Sequence, residues 1–402
     1  MFIIAYILFF GFLYLYYKRF KSPALNFVLL FYVLASVCGV LMHFFKTNNI
    51  STLFSFLYQV VILYLFIHPI VVYGKNERLH RFKEFDDKRF KYLTYSLIAL
   101  QLFSIVFFIG YDVQLLLRGD LSQLRAELLS GDENMGASFY RTVAGTASYY
   151  YCINILLFFY SLAFRNEKKI VLILLIISST SRIFHSLTYM GRDGILFWII
   201  SFVFSYFLFL PYLNRDSKKI VRKLFYLCGS FAIVLIGMIS ISRFGESDSG
   251  TFWSLISYFG QPIDNFGKMF VSSYSDFKGT SEMFPLLYGK TGTLGSEVIN
   301  SADTFELQWG FRNDMFYTFV GNMYVSWGPI ITFVIAVVYC FYMTNKLSVK
   351  NVGLSTLIIL MVASQIVLHN YFYWAYYARV ANLFLFTIPI FVLYCRKSKV
   401  AK

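Results

Sequence analysis

Long apolar runs, each of about 18–25 residues, follow one another from the first residues of the chain to the last. A helix needs about 20 consecutive, mainly apolar residues to cross the hydrocarbon core of a bilayer. Only 14% of the residues are charged, whereas a soluble domain carries about 25%. The chain is therefore predicted to be an all-α polytopic membrane protein, and a water-soluble enzyme and a disordered chain are both excluded.

The apolar runs predict eleven transmembrane helices that form a single membrane domain over residues 1–402. No internal repeat is visible in them, which disfavours a transporter built from inverted repeats. The predicted spans are residues 2–17, 24–45, 51–74, 93–111, 144–164, 170–187, 194–213, 224–242, 322–344, 352–369 and 379–395.

The distribution of charge predicts the orientation of these spans. The C-terminus and five short loops on one side hold 24 of the 36 Lys and Arg residues but only 6 of the 21 Asp and Glu residues. The positive-inside rule makes that side cytoplasmic, with the N-terminus outside. Because membrane insertion explains the net charge of +15, no nucleic-acid partner is needed. The five loops are residues 18–23, 75–92, 165–169, 214–223 and 346–351.

Two predicted outside segments, residues 112–143 and 243–321, are long enough to carry a function. The first contains a short amphipathic stretch, with Leu121, Leu124 and Leu128 on one helical face. In the second, apolar residues keep roughly helical spacing, and the pattern is expected to break at Pro262. This spacing predicts a helix that lies on the outer membrane surface. Its apolar residues are Phe252, Leu255, Ile256, Phe259, Ile263 and Phe270.

Arginines are enriched at the predicted outer ends of spans, where a guanidinium is costly to place and is by default a functional candidate. A cluster of guanidinium groups suits phosphate or pyrophosphate, so a phosphate-bearing lipid of the outer leaflet is the predicted ligand. The alternative is that each arginine reaches lipid headgroups or pairs with a nearby acid such as Asp193, Glu246 or Asp314. The candidate pyrophosphate-binding residues are Arg182, Arg192, Arg243, Arg312 and Arg379.

The candidate catalytic bases on the outer side are His185, His369 and Glu246, with Asp248 beside Glu246 as an alternative. An imidazole exchanges a proton near neutral pH, which suits a general base. Arg182 and His185 are three residues apart and are expected to share a helical face. The alternative for each histidine is a buried ring with no chemical role. His43 also lies near the outer face, but no cluster surrounds it in the sequence.

An aromatic cluster between His369 and Arg379 is a predicted glycan-binding surface, because Tyr and Trp combine an apolar face with a hydrogen-bonding edge. The alternative is an aromatic belt at the membrane interface. The candidate glycan-binding residues are Tyr373, Trp374, Tyr376 and Tyr377.

Cofactor motifs are not apparent in the sequence. The five cysteines lie in or beside apolar runs without metal-binding spacing, which predicts no disulfide and no metal site. No nucleotide-binding P-loop pattern occurs, so no cofactor and no ATP hydrolysis are expected.

Four short motifs resemble the Wzy-type O-antigen polymerases, also called oligosaccharide repeat-unit polymerases. They are Met190-Gly-Arg-Asp-Gly-Ile-Leu, Ile241-Ser-Arg-Phe, Tyr258-Phe-Gly-Gln-Pro and Phe316-Tyr-Thr-Phe-Val-Gly-Asn-Met-Tyr-Val-Ser-Trp-Gly-Pro. The resemblance covers roughly residues 170–345, and it implies a GT-C-like architecture in the bacterial inner membrane.

The resemblance also implies an activity in lipopolysaccharide biosynthesis. Such an enzyme is a membrane-embedded glycosyltransferase that joins undecaprenyl-pyrophosphate-linked oligosaccharide repeat units at the periplasmic face, without nucleotide sugar or ATP. A chain-length regulator and a flippase are the implied protein partners. Two alternatives stay open, an O-antigen ligase and a flippase or transporter of lipid-linked oligosaccharide. A transporter predicts charged residues at mid-span, whereas the charges of this chain favour span ends.

Overall fold

A computed structural model describes residues 2–47, 52–83, 85–117, 139–165, 167–189, 191–226, 229–230, 250–272, 283–288 and 316–396. These residues are mostly α-helical. In chain order the helices are α1 (Ile3–Lys18), α2 (Pro23–Met42), α3 (Leu53–Asn76), α4 (Asp87–Leu117), α5 (Phe139–Tyr149), α6 (Tyr151–Phe164), α7 (Lys169–Ser179), α8 (Ser181–Leu187), α9 (Asp193–Phe209), α10 (residues 215–226), α11 (Gly250–Val271), α12 (Thr318–Leu347), α13 (Leu354–Leu368) and α14 (Arg379–Arg396).

Short elements complete the described chain. A π-helical turn (His43–Thr47) follows α2, and 3₁₀ turns form at Glu77–Leu79 and Pro285–Tyr288. Two-residue strands, β1 and β2, occupy Arg81–Phe82 and Asn351–Val352.

Six helical segments among the described residues are long and apolar enough to cross a membrane, and a bent pair, α5 with α6, makes a possible seventh. Three shorter apolar helices, α1, α9 and α13, also fall on predicted spans. The predicted span at 224–242 lies mostly outside the described residues, and the total of eleven stays a prediction. The six segments are Pro23–Phe45, Leu53–Asn76, Asp87–Val113, Lys169–Leu187, Thr318–Leu347 and Arg379–Arg396.

The predicted span 170–187 is interrupted at Thr180, where α7 ends and α8 begins. Ser178, Ser179 and Thr180 each donate a side-chain hydrogen bond to the carbonyl three residues earlier. Hydroxyl groups that bond back to the preceding turn compete with the helical ladder and bend a helix. The break therefore follows from three consecutive hydroxyl residues.

The described chain forms two compact units, and the first comprises residues 1–81, 249–351 and 362–382. In this unit α2 packs between α1 and α11, and α12 packs along α3. The contact between α2 and α11 is close because Gly260 lies directly against the backbone of Cys38 and Gly39. A break in α12 at Gly328, where φ is 76°, precedes Pro329 and divides this long helix into two parts.

Helix α11 confirms that the second outside segment contains a helix, but the expected break at Pro262 is wrong. The helix runs unbroken from Gly250 to Val271 with Pro262 inside it. A proline removes one backbone hydrogen bond from a helix interior and crowds the preceding turn. Here Ile256, Ile263 and Phe266 are buried on both sides of the proline, so packing of the apolar face offsets that cost.

The second unit comprises residues 82–248, 352–361 and 383–402. Helix α6 is its central element, because every residue from Tyr151 to Ser161 is buried. Helices α7 and α9 pack against α6, while α4 packs against α5 and α8. The N-terminus of α9 approaches α8 closely at Gly194, where a Cβ atom would lie 2.6 Å from the Arg182 carbonyl oxygen.

Candidate functional site

The residues predicted to form the site are distributed over both units. Glu246, Arg243 and Arg312 lie outside the described residues. The second unit contains Arg182, His185 and Arg192, and the first contains His369, Tyr373, Trp374, Tyr376, Tyr377 and Arg379.

In the second unit, Arg182 is buried in an ion pair. Its Nη2 lies 3.0 Å from Asp193 Oδ2, its guanidinium lies 4.3 Å from the centre of the Tyr149 ring, and the residue is only 3% exposed. Breaking a buried ion pair leaves an uncompensated charge. Arg182 therefore has a structural partner within the fold.

His185 lies on the same face as Arg182, as predicted, and its ring is engaged from several sides. Nδ1 lies 3.1 Å from Arg182 Nη1 and 2.8 Å from Ser148 Oγ. The ring stacks on Phe108 with 4.8 Å between centroids. Both Ser148 and Arg182 are thus within hydrogen-bonding distance of Nδ1, so this nitrogen is engaged inside the protein. Arg192 is half-buried and precedes α9 as its N-cap residue.

In the first unit, the aromatic segment 369–378 joins α13 to α14 in a turn held by asparagine side chains. Asn370 Oδ1 accepts a hydrogen bond from the Ala375 amide at 3.0 Å, and Asn322 Oδ1 accepts one from the Trp374 amide at 2.9 Å. The Asn382 side chain donates to the Tyr376 carbonyl. These bonds fix a non-helical backbone whose shape no periodic pattern encodes.

Two of the four predicted glycan-binding aromatics are internal to this segment. Trp374 and Tyr376 are buried, the first donating to the Met283 carbonyl at 3.1 Å and the second to Gln365 Oε1 at 2.8 Å. Their polar edges are thus already bonded within the protein.

The other two predicted aromatics reach the surface. Tyr377 is 46% exposed, and the half-buried Tyr373 ring lies 6.1 Å from it. Tyr373 also stacks on Phe316 at 5.7 Å with 15° between the ring planes. Tyr373 and Tyr377, supported by Phe316, form a small aromatic platform.

His369 and Arg379 lie at the two ends of the aromatic segment. His369 is buried at 3% exposure. Arg379 is half-buried, and its Nε is a buried donor with no hydrogen-bond partner among the described residues. Such an unsatisfied group is rare in a folded protein and calls for an explanation, such as a ligand.

The expectation that His43 has no cluster around it is wrong. His43 Nδ1 lies 2.8 Å from Asp264 Oδ1, and the two side chains are only 7% and 1% exposed. His43 opens the π-helical turn after α2, and Asp264 belongs to α11. The docking of α11 on α2 therefore creates a buried histidine–aspartate pair.

Further polar groups of the first unit lie beside this pair. The Tyr6 hydroxyl donates to Gln59 Oε1, and Gln59 Nε2 donates to Thr318 Oγ1 at 3.3 Å. The Asp264 carboxylate is within electrostatic range of Tyr6. Thr318 has a φ of 65°, a left-handed conformation that is strained for a β-branched residue and that often accompanies function. Tyr6, Gln59 and Thr318 lie in the N-terminal parts of α1, α3 and α12.

One signal in the sequence could have revealed this pair. Asp264 lies next to Ile263 and eight residues after Ile256, and it therefore falls on the apolar face of α11. A carboxylate on a buried face must find a partner. The histidines predicted near the same side of the membrane, His43 among them, are candidates for that partner.

The described residues contain no group of three or more His, Cys, Asp or Glu side chains that could hold a metal ion. Cys38, Cys152, Cys340 and Cys395 are free thiols, and Cys228 lies outside the described residues.

Helix composition and length define a polytopic α-helical membrane protein. Comparison of the chain with models of known protein families, with characterised proteins and with solved structures gives no match.

Proposed function

We propose that this protein is a membrane-embedded glycosyltransferase that joins undecaprenyl-pyrophosphate-linked oligosaccharide repeat units at the periplasmic face of a bacterial inner membrane. The glycan of one unit leaves its pyrophosphate carrier and is transferred to a hydroxyl at the non-reducing end of a second unit. The membrane-spanning helices give the lipid tails of both substrates access to the protein.

The observation that carries this proposal is the arrangement around Arg379. A half-buried arginine with an unsatisfied Nε follows directly after a rigid segment that presents the Tyr373 and Tyr377 rings. A guanidinium binds phosphate oxygens through paired, charge-assisted hydrogen bonds. Exposed tyrosine rings combine apolar faces with hydroxyl groups, which suits sugars. Side chains suited to sugar and to phosphate, Tyr373, Tyr377 and Arg379, thus lie within seven residues of the chain.

The proposed role of Arg379 is to hold the donor pyrophosphate and to stabilise its charge while the bond to the anomeric carbon breaks. A fixed cation near the oxygen on which charge develops lowers the barrier more than it stabilises the ground state. Arg192, Arg243 and Arg312 are further candidates for this role. Arg182 is bonded to Asp193 and is assigned to the framework.

The test is an in vitro polymerisation assay. Purified protein in detergent is mixed with undecaprenyl-pyrophosphate repeat units without nucleotide or metal, and the products are resolved by size. A ladder of products supports the polymerase. Transfer only to a lipid A-core acceptor would instead identify a ligase, and movement of the lipid across vesicles without a ladder would identify a transporter.

Arg379→Ala is expected to lower the rate of ladder formation by about 10²-fold or more. Arg379→Lys keeps the charge but loses the fork geometry, so an intermediate loss is expected. Arg396→Ala is the matched control, because Arg396 is an exposed arginine at the opposite end of the same helix. Equal activity of the Arg379→Ala and Arg396→Ala proteins would remove Arg379 from the proposed site.

A further inference from the structure

We infer that His43 is the general base of the proposed transfer and that Asp264 is the positioning residue that holds its imidazole. This inference rests on the proposed function and names the group that activates the acceptor hydroxyl. It replaces His185, His369 and Glu246, the bases that the sequence favours.

The geometry of the pair fixes which nitrogen can act. Asp264 Oδ1 lies 2.8 Å from His43 Nδ1, and an ionised carboxylate only accepts hydrogen bonds. Nδ1 therefore carries the proton, and Nε2 keeps its lone pair. Within the described residues, Nε2 has no hydrogen-bond partner. A carboxylate that orients an imidazole with its other nitrogen free is an arrangement suited to general-base catalysis.

The location of the pair favours a chemical role over a purely structural one. A carboxylate on the apolar face of α11 is costly to bury, and an apolar residue there would pack against α2 without that cost. His43 opens a π-helical turn, and π-turns occur frequently at functional sites. The strained Thr318 belongs to a separate hydrogen-bonded chain with Gln59 and Tyr6 in the same unit.

The other histidines that the sequence favours, His185 and His369, are less suited to act as the general base. His185 Nδ1 is engaged by Ser148 and Arg182, and its ring contacts Phe108 and Tyr149. His369, at the start of the aromatic segment, is buried at 3% exposure. Of His43, His68 and His185, only His43 has a carboxylate hydrogen-bonded to its ring.

The step balances without a cofactor. The acceptor hydroxyl oxygen forms a bond to the anomeric carbon of the donor as its proton passes to His43 Nε2. The bond between the anomeric carbon and the pyrophosphate oxygen breaks, and undecaprenyl pyrophosphate leaves with the electron pair. His43 then releases the proton to water. Asp264 stays ionised throughout and stabilises the imidazolium that forms.

The experiment measures the rate of ladder formation for His43→Gln, His43→Ala and Asp264→Asn. Loss of a general base lowers the rate by about 10²–10⁴-fold, and this loss is expected for both His43 variants. Added imidazole is expected to restore part of the rate of His43→Ala, because a small base can occupy the vacated space. Asp264→Asn, a replacement of the same size, is expected to lower kcat while leaving the KM for the acceptor unchanged.

The control is His68→Gln. His68 lies in α3, where its Nδ1 is 3.3 Å from Thr344 Oγ1, and its replacement is expected to leave the rate unchanged. Each variant is checked for a single species by gel filtration, and if the His43 variants aggregate, the kcat of the isosteric Asp264→Asn protein decides.

The outcomes separate the two proposals. A wild-type ladder that His43→Gln or Asp264→Asn forms at the full rate overturns the assignment of the base and leaves the polymerase intact. Absence of a ladder from the wild-type protein overturns the proposed function and this inference with it. Imidazole rescue supports the assignment, because a merely misfolded variant would not respond to a small base.

Discussion

The contact between α2 and α11 depends on one glycine, and Gly260→Ala is expected to disturb it. A Cβ atom at position 260 would lie 2.5 Å from the Cys38 carbonyl oxygen and 2.8 Å from the Cys38 carbonyl carbon. Both atoms belong to the backbone and cannot rotate away. Ordinary contact begins at 3.4 Å, so the two helices must separate locally by about 0.9 Å.

The expected change in stability of Gly260→Ala follows from two opposing effects. Forcing an extra methyl group into a packed contact costs about 1–3 kcal/mol, whereas Ala is about 1 kcal/mol more favourable than Gly in a helix interior. Gly39→Ala is the matched control, because its Cβ would lie 3.5 Å from the nearest atom, across the same contact. The helix propensities cancel, so Gly260→Ala should be less stable than Gly39→Ala by about 1–3 kcal/mol.

Asp264 lies one helical turn after Gly260, so the displacement also reaches the histidine–aspartate pair. Adding about 0.9 Å to the 2.8 Å bond with His43 would exceed hydrogen-bonding distance. We therefore expect Gly260→Ala to form ladders more slowly than Gly39→Ala. Stability is measured by thermal unfolding in detergent with tryptophan fluorescence. Equal stability of the two variants would show that the close approach at Gly260 does not limit the packing of α11 on α2.

Two further predictions concern buried charges. Asp193→Ala is expected to destabilise the protein by about 3–5 kcal/mol, because the buried Arg182 guanidinium loses its carboxylate partner; thermal unfolding measures this, and Asp216→Ala, which breaks an exposed ion pair, should change little. Burial raises the pKa of Glu77 to about 7 and lowers the pKa of His80 to about 4. Glu77 contributes its full stabilisation of the folded state below its unfolded pKa of 4.5, and this stabilisation is lost as the pH rises through about 7. His80 contributes its full stabilisation of the folded state above its unfolded pKa of 6.5, and this stabilisation is lost as the pH falls through about 4. The two slopes therefore oppose each other in the wild-type protein. In Glu77→Gln the opposing Glu77 slope is removed, so the melting temperature should rise more steeply from pH 4 to 6.5 than in the wild type, and a variant with no more pH dependence than the wild type would contradict this.

The long apolar elements are predictable because their signal is local. The runs at 24–45 and 51–74 become α2 (Pro23–Met42) and α3 (Leu53–Asn76), since length and hydropathy alone determine what can cross a bilayer. The helix in residues 243–321 is predictable from the helical spacing of its apolar residues, which is also a local signal. Its continuity through Pro262 is not, because that depends on packing against α2.

The details of the site depend on tertiary contacts that the sequence does not display. His43 and Asp264 are separated by 221 residues, and they meet only because Gly260 allows α11 to approach α2. In the aromatic segment, the backbone is not periodic, so sequence position does not reveal that Trp374 faces inward while Tyr377 faces outward. Composition identifies the aromatic cluster, whereas the hydrogen bonds of the asparagine side chains decide which of its rings reach the surface.

Two buried aspartates show how the partner of a carboxylate determines what it can do. Asp193 pairs with Arg182, whose charge is permanent, and the result is a fixed ion pair that joins α8 to α9. Asp264 pairs with His43, and an imidazole exchanges a proton in the physiological range. Both carboxylates are buried, yet only the second pair can take part in a proton transfer. Arg182, one of five arginines that the sequence favours for pyrophosphate binding, is thus held by Asp193 within the fold, and His43, which looks isolated in the sequence, has the pairing that suits proton transfer.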